Sequence, residues 1–307
     1  MTTPAPVFSW NKDDWASLSE MADGFDEYRP AYSRALDGQV ITIHGHYVDT
    51  AERFTLTQTF QGDELHWTLE DADGARSGTD TFELFEMQPG LFYLHYRRNA
   101  EDHPVVVSTA LDLTSGQVTG AFGHLGLEPS PHRAGQRWFQ GQVDGTDADA
   151  SGAHPTTDEL IGRRIRYAYS HDDVYDHIYL NQNLFTWLCL GGAEIGVGDT
   201  DSCTYWKLRE KTYLFSWLEK NVGVEGMVLI DLNSYRTVGI QFGIDQRTGD
   251  LVNITMGSYA QEFQQIPSIE NSCPATASVE THRYPRNHTA SPFLRKYRSS
   301  TCSTTPM

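Results

Sequence analysis

Long apolar runs are missing from this sequence, and nothing in it reaches the roughly 18 uninterrupted apolar residues of a membrane helix. The opening residues, MTTPAPVFSWNKDDW, hold neither a basic stretch nor an apolar one, which argues against a secretory leader. Cysteine is scarce. The four present (Cys189, Cys203, Cys273 and Cys302) form no CxxC pair, so neither a disulfide framework nor a structural zinc site is expected. Reduced thiols in the cytosol are the expectation, with the sequons at Asn253 and Asn287 unused. Positive charge is also short: 23 Lys and Arg stand against 41 Asp and Glu, a net charge of -18 that repels nucleic acid and anionic membranes. No GxGxxG follows a strand and no GxxxxGK[ST] occurs, so nicotinamide, flavin and ATP chemistry are unexpected and no cofactor is implied.

What is present is β patterning. Hydrophobic residues make up 39% and aromatics 12%, which suits β-rich globular domains, and 307 residues leave room for two cores. The chain is organised around 201–243. There Tyr213, Phe215, Trp217 and Glu219 recur every second residue, so a strand turns three aromatics and a carboxylate to one face. This stretch has an earlier echo. TDTFELFEMQPGLFYLHY (79–96) lies over TDSCTYWKLREKTYLFSW (200–217) without a gap, and ALDLTSGQVTGAFG (110–123) lies over LIDLNSYRTVGIQFG (229–243) with a shift of one or two residues. A register shared over about sixty residues marks a duplicated β-unit.

The chain then divides as follows. Residues 1–37 read as an N-terminal segment with a short helix near 14–21, packed as a lid across the mouth of the first barrel. Residues 38–125 alternate with turn signals at hairpin spacing, enough for a small barrel with one cavity. Residues 126–158, rich in Gly, Pro, Asp and Ser, read as a linker whose Trp138 and Phe139 dock on a barrel. Residues 159–264 read as a second barrel, and 265–307 as an extended tail.

The segments YDHIYLNQNLFTW (175–187), DTDSCTYWKL (199–208), YLFSWLEK (213–220) and VLIDLNSYRTVGIQFG (228–243) resemble the molybdenum-cofactor-biosynthesis protein F (MoaF) family. The resemblance covers most of 160–260 and, more weakly, the first copy. It implies a mainly β chain of two consecutive lipocalin-like (calycin-type) antiparallel barrels, with short helices and an extended C-terminal tail. The family name implies a molybdopterin connection. The second copy is also similar to the bacterial phenolic acid decarboxylases, single barrels of the same kind. The motifs are Ile161-Gly162 leading to Tyr167 and Tyr169, Ser216-Trp217-Leu218-Glu219, and Asn233, Arg236, Gly239, Ile240 and Phe242. In that family the two tyrosines hold a carboxylate and the glutamate is the acid/base at the phenol end, roles that the resemblance carries to Tyr167, Tyr169 and Glu219. The family's catalytic arginine, in a Gly-Arg-Trp turn, has no match; its position falls near Gly196 in GGAEIGVGD. The scaffold carries over, and decarboxylation itself is not expected.

The residues themselves point to acid/base chemistry. Tyr167 and Tyr169 stand two apart on one strand, and two phenols can polarise a carbonyl without adding charge. Glu219, at the end of an aromatic face, loses hydration, which raises its pKa towards neutrality, where it can shuttle a proton. Tyr179, Trp187, Tyr205 and Trp217 would wall a pocket for a conjugated ligand, with Arg236 beside it or paired with Asp201 or Asp231. His44, His46, His66 and His95 form a second candidate site for acid/base work in the first copy, where His44 and His46 align with the two tyrosines; no metal set is completed there. The expected function is a cofactor-independent isomerase, cyclase or lyase acting on a small conjugated or phenolic metabolite in specialised metabolism. The alternative is a carrier of an apolar small molecule.

Overall fold

The computed structural model describes residues 15–99, 104–126, 134–146 and 153–263. The tail from 265, Trp10, Cys273, Cys302 and the Asn287 sequon lie outside the described residues. A short helix, α1 (Leu18–Ala22), precedes sixteen strands. The first eight are β1 (Val40–Tyr47), β2 (Arg53–Gln61), β3 (Glu64–Asp71), β4 (Gly74–Gln88), β5 (Leu91–Arg98), β6 (Val105–Asp112), β7 (Gln117–Leu125) and β8 (Ala134–Val143). The second eight are β9 (Arg164–Ala168), β10 (Val174–Asn181), β11 (Leu184–Gly191), β12 (Gly198–Arg209), β13 (Thr212–Leu218), β14 (Val224–Asp231), β15 (Arg236–Ile244) and β16 (Leu251–Glu262). Each set of eight closes into an antiparallel barrel, with β1 pairing β8 and β9 pairing β16. The lipocalin-like duplication is therefore complete at the level of strands. No helix among the described residues is long and apolar enough to cross a membrane.

Alternation drives the strands. In β2, Phe54, Leu56 and Phe60 point inwards while Arg53 and Gln61 face water. Strands β13, β14 and β15 lack this alternation because both of their faces are covered. One face lines the second barrel. The other, with Leu214, Met227, Leu229 and Ile240, packs on Phe85, Tyr93 and Val106 of the first barrel. The contact between barrels is also polar at its edges. Tyr93 Oη donates to Met227 O at 3.0 Å, and His95 Nε2 lies 3.0 Å from Asn253 Oδ1, which places that sequon asparagine in the interface. Glu225, 2% exposed, lays its carboxyl against Gly123, where any Cβ would collide with it.

Two expectations are corrected here. The supposed linker 126–158 contains β8, which closes the first barrel, with Phe139 inside it against Phe54 and Phe122. Gly141 permits close approach to Ile43 and the backbone of β1, so a glycine-rich string can still be a strand. The helix of the N-terminal segment caps the second barrel, where Leu18, Met21 and Phe25 join the core. Only the end of the segment reaches the first barrel, where Leu36 joins the core and Ser33 N donates to Leu84 O at 2.7 Å. Ser17 begins α1 with a capping box to Glu20, Ser19 N donates to Asp245 Oδ2 at 3.0 Å, and Arg247 holds both Glu20 oxygens.

An ion pair fastens the barrels. Arg209 of β12 donates Nε to Asp112 Oδ2 at 2.9 Å and Nη2 to Oδ1 at 2.7 Å. Burial pushes the Asp112 carboxyl up, but Arg209 and the backbone N–H groups of Ser115 and Thr114 outweigh it and hold the pKa below the ordinary 3.8. Arg209→Met should cost about 2–4 kcal/mol at pH 7, under the usual range for a broken buried pair because the two N–H groups remain. A depressed carboxyl stabilises above its unfolded pKa, so urea titrations should show the deficit shrinking as pH falls below about 4.

Candidate functional site

The second barrel opens at the end capped by α1. Its interior is a column of aromatic rings: Phe215 stacks between Tyr205 (5.6 Å) and Trp217 (5.5 Å) and meets Phe185 edge-on at 4.9 Å. Above this column a small inner void of about 30 Å³ is lined by Phe25, Tyr169, Tyr175, His177, Glu194 and Glu219, among others. It shares Met21, Trp187, Glu194 and Glu219 with an outer chamber of about 240 Å³ that Leu18 also lines.

Glu219 is the first residue past β13. Its N–H is fixed to Val224 O at 3.0 Å, and its Oε1 accepts a long 3.4 Å hydrogen bond from Trp217 Nε1. Desolvation, reinforced by the charges of Glu194 and Asp201, pushes its carboxyl up to about 8. Glu194 arrives from the turn between β11 and β12, folded inwards by Cys189 N to Val197 O (2.8 Å) and Gly196 N to Cys189 O (3.0 Å). Gly192 and Gly196 take left-handed conformations in that turn, with φ of 104° and 88°. Burial raises the Glu194 carboxyl to about 7, although Tyr175 Oη donates to its Oε2 at 3.0 Å and opposes the rise. Tyr175→Phe should therefore move the Glu194 pKa up by about one unit, from the loss of a hydrogen bond to a charged group. A ¹³C-carboxyl NMR titration checks this.

Asp201 sets the geometry of the site's edge. It accepts Trp187 Nε1 at 2.9 Å and Lys220 N at 3.1 Å, and so ties the aromatic wall to the segment that carries Glu219. The first barrel repeats the device about 120 residues earlier, where Asp80 accepts Trp67 Nε1 at 2.8 Å and Asn99 N at 3.1 Å. The residue matching Glu219 there is Arg98, 5% exposed, whose guanidinium lies 4.1 Å over the Trp67 ring. The same scaffold position thus carries a stacked cation in one barrel and a raised carboxyl in the other.

The sequence candidates separate on this map. Tyr169, Trp187, Trp217 and Glu219 line the cavity; Tyr169 stacks on Phe25 at 4.7 Å. Tyr167 faces inwards but lies deeper, with its hydroxyl 2.7 Å from that of Tyr179, so neither joins the cavity wall. Tyr205 belongs to the column, and its hydroxyl donates to Asn181 O at 3.1 Å. Arg236 lies outside the lining of both chambers, and its side chain bonds to neither Asp201 nor Asp231. Its Nη2 donates to Tyr28 O at 2.6 Å and its guanidinium covers Tyr259 at 4.1 Å.

The histidine set does not assemble. His44 and His46 project outwards from β1, because its inward residues are Ile43, Gly45 and Tyr47; aligning His44 with Tyr167 was a one-residue slip that reverses the face. His66 bonds Thr79 on the outer wall, and His95 is buried between the barrels against Ser108 and Asn253. Among the described residues no group of three His, Cys, Asp or Glu could hold a metal ion.

Glu194, Tyr175, His177 and Gln241 also line the void and are not among the candidates that the sequence offers. The signal for Glu194 was in view, since GGAEIGVGD is where the decarboxylase-like pattern loses its arginine, but only the folded turn aims the acid inwards.

Two family models match the chain: the MoaF N-terminal domain over residues 13–126 and the MoaF C-terminal domain over residues 154–266. Protein MoaF of Klebsiella aerogenes is 32% identical over 189 residues, which is 57% of this chain and 71% of that protein.

Proposed function

This chain belongs to the MoaF family, and from that premise we propose that it is a cofactor-independent enzyme using paired carboxyls to move protons on a small conjugated or phenolic molecule. The observation that carries this reading is the meeting of Glu194 and Glu219 on one aromatic cavity, with pKa values raised to about 7 and about 8. At neutral pH one is a base and the other an acid. In this scheme the Glu194 carboxylate takes a proton from carbon α to a carbonyl while the Glu219 carboxylic acid donates to the carbonyl oxygen, giving an enol. Reversal at a different carbon is an isomerisation, and attack by the enol on a second group is a cyclisation. Tyr169 and the indoles orient the substrate, and α1 with Leu18 and Met21 excludes water. The cytosol suits this work, since Cys189 and Cys203 are free thiols.

The carrier alternative is favoured by the apolar rim of the outer chamber, where Leu18, Val222 and Val224 would take an apolar cargo. Deuterium wash-in separates the two. In D₂O with 4-hydroxyphenylacetone as probe, an acid/base site should exchange the protons α to the carbonyl, followed by ¹H NMR, with fastest exchange between about pH 7 and 8. The limbs of that profile belong to the carboxyl pair jointly. Saturable binding without exchange at any pH would make the protein a carrier.

A further inference from the structure

No Lys or Arg lines the inner part of this cavity. Glu194 and Glu219 present carboxyl oxygens. Gln241, 7% exposed, lines the same void, and its amide oxygen has no hydrogen-bond partner among the described residues. His177, 6% exposed, also lines the void, with Nδ1 unpartnered and its imidazole held neutral by burial, its pKa lowered to about 3. Buried polar atoms left without partners are costly, so two of them on residues that line one void point to a group that is to arrive there.

Several of the donors nearby are engaged elsewhere, while the Tyr169 hydroxyl, which also lines the void, has no hydrogen-bond partner among the described residues. Tyr175 Oη serves Glu194 and Trp187 Nε1 serves Asp201. Lys220 is turned away to Asp199, and Arg247 at the mouth holds Glu20 and the Trp15 carbonyl. The remaining wall is ring surface from Phe25, Tyr169, Tyr175, Trp187 and Trp217. The faces of such rings are negative and attract cations. Carboxyls, an orphaned amide oxygen and π-faces together describe the complement of a compact organic cation bearing N–H donors.

We propose that this cavity selects a protonated primary or secondary amine on a small aromatic or conjugated skeleton, with the ammonium group among Glu194, Glu219 and Gln241 and the skeleton in the outer chamber. The assignment rests on the reading of the second barrel as a small-molecule site, and it names the substrate class for that site. An anionic ligand is disfavoured by the same wall. Its charge would face the Glu194 carboxylate with no Lys or Arg on the inner wall to offset it, and a like-charge contact in a desolvated site costs far more than in water.

The test compares three probes of one shape at pH 7: 2-phenylethylamine, 2-phenylethanol and 3-phenylpropanoate, each titrated into the full chain by tryptophan fluorescence and saturation-transfer NMR. The amine should bind about tenfold or more tighter than the alcohol, as a desolvated cation–π and carboxylate site gives. The propanoate should bind weakest. Glu194→Gln and, separately, Gln241→Leu should lower amine affinity about tenfold with a much smaller loss for the alcohol. The two variants report independently should one fail to fold. Saturable binding of the alcohol with no preference for the amine overturns the assignment and leaves the small-molecule site standing. Tightest binding by the propanoate overturns it likewise. If none of the three saturates and no deuterium exchange is found, the amine assignment and the reading of the site fall together.

Discussion

Replacing Glu219 by glutamine should lower the deuterium-exchange rate about 10²–10⁴-fold, the usual contribution of a positioned general acid or base. The same variant should be more stable than the parent at pH 8, by about 1–3 kcal/mol after discounting for the partial exposure of the site. The sign follows from the raised pKa. An unfolded glutamate ionises near 4.5, whereas folded Glu219 keeps its proton to about 8. Its contribution to stability is therefore fully present below about 4.5 and is lost as pH rises through about 8. Glutamine keeps the shape and never ionises, so that loss disappears. Glu194 and Glu225, raised to about 7 and about 8, act in the same direction, so the parent should weaken towards alkaline pH and the variant less steeply. A variant that is inactive and more stable is the signature of a group kept for chemistry at a cost in stability. Urea midpoints from pH 5 to 9, beside exchange rates, decide it: full activity in the glutamine variant would remove Glu219 from the mechanism.

Truncating Phe215 to alanine should cost about 3–5 kcal/mol, the range for an aromatic removed from a packed core. Phe215 is fully buried and touches Tyr179, Phe185, Tyr205 and Trp217. Those neighbours are held by opposing strands of a closed barrel, so they cannot collapse into the space left behind. The effect should appear as a lower urea midpoint with an unchanged m-value. Leu180→Ala, at a site 46% exposed, should stay within about 0.5 kcal/mol and serves as the reference. The new cavity lies under the inner void, so the variant should also bind bulkier probes than the parent. A loss under 1 kcal/mol would mean that the barrel is held by its backbone ladder and not by its aromatic column.

Sequence alone was enough for the duplication, the β class and the inward face of Tyr213, Phe215 and Trp217. Each is a matter of local periodicity, and a strand's period of two does not depend on what it packs against. The desolvation of Glu219 was legible for the same reason, since it continues that face just past the strand. Three things were decided only by the closed barrels. Tyr167 and Tyr169 share a face yet serve different places, because depth along a barrel axis has no signature in the order of residues. Leu214 and Met227 face another barrel and not water, which only docking could determine. Glu194 became a partner of Glu219 through a left-handed turn that brings together residues 25 positions apart, on a wall that α1 then shuts from more than 170 positions away. Periodicity determines which way a side chain points, but closure and docking determine what it meets, and a carboxyl's chemistry depends on what it meets.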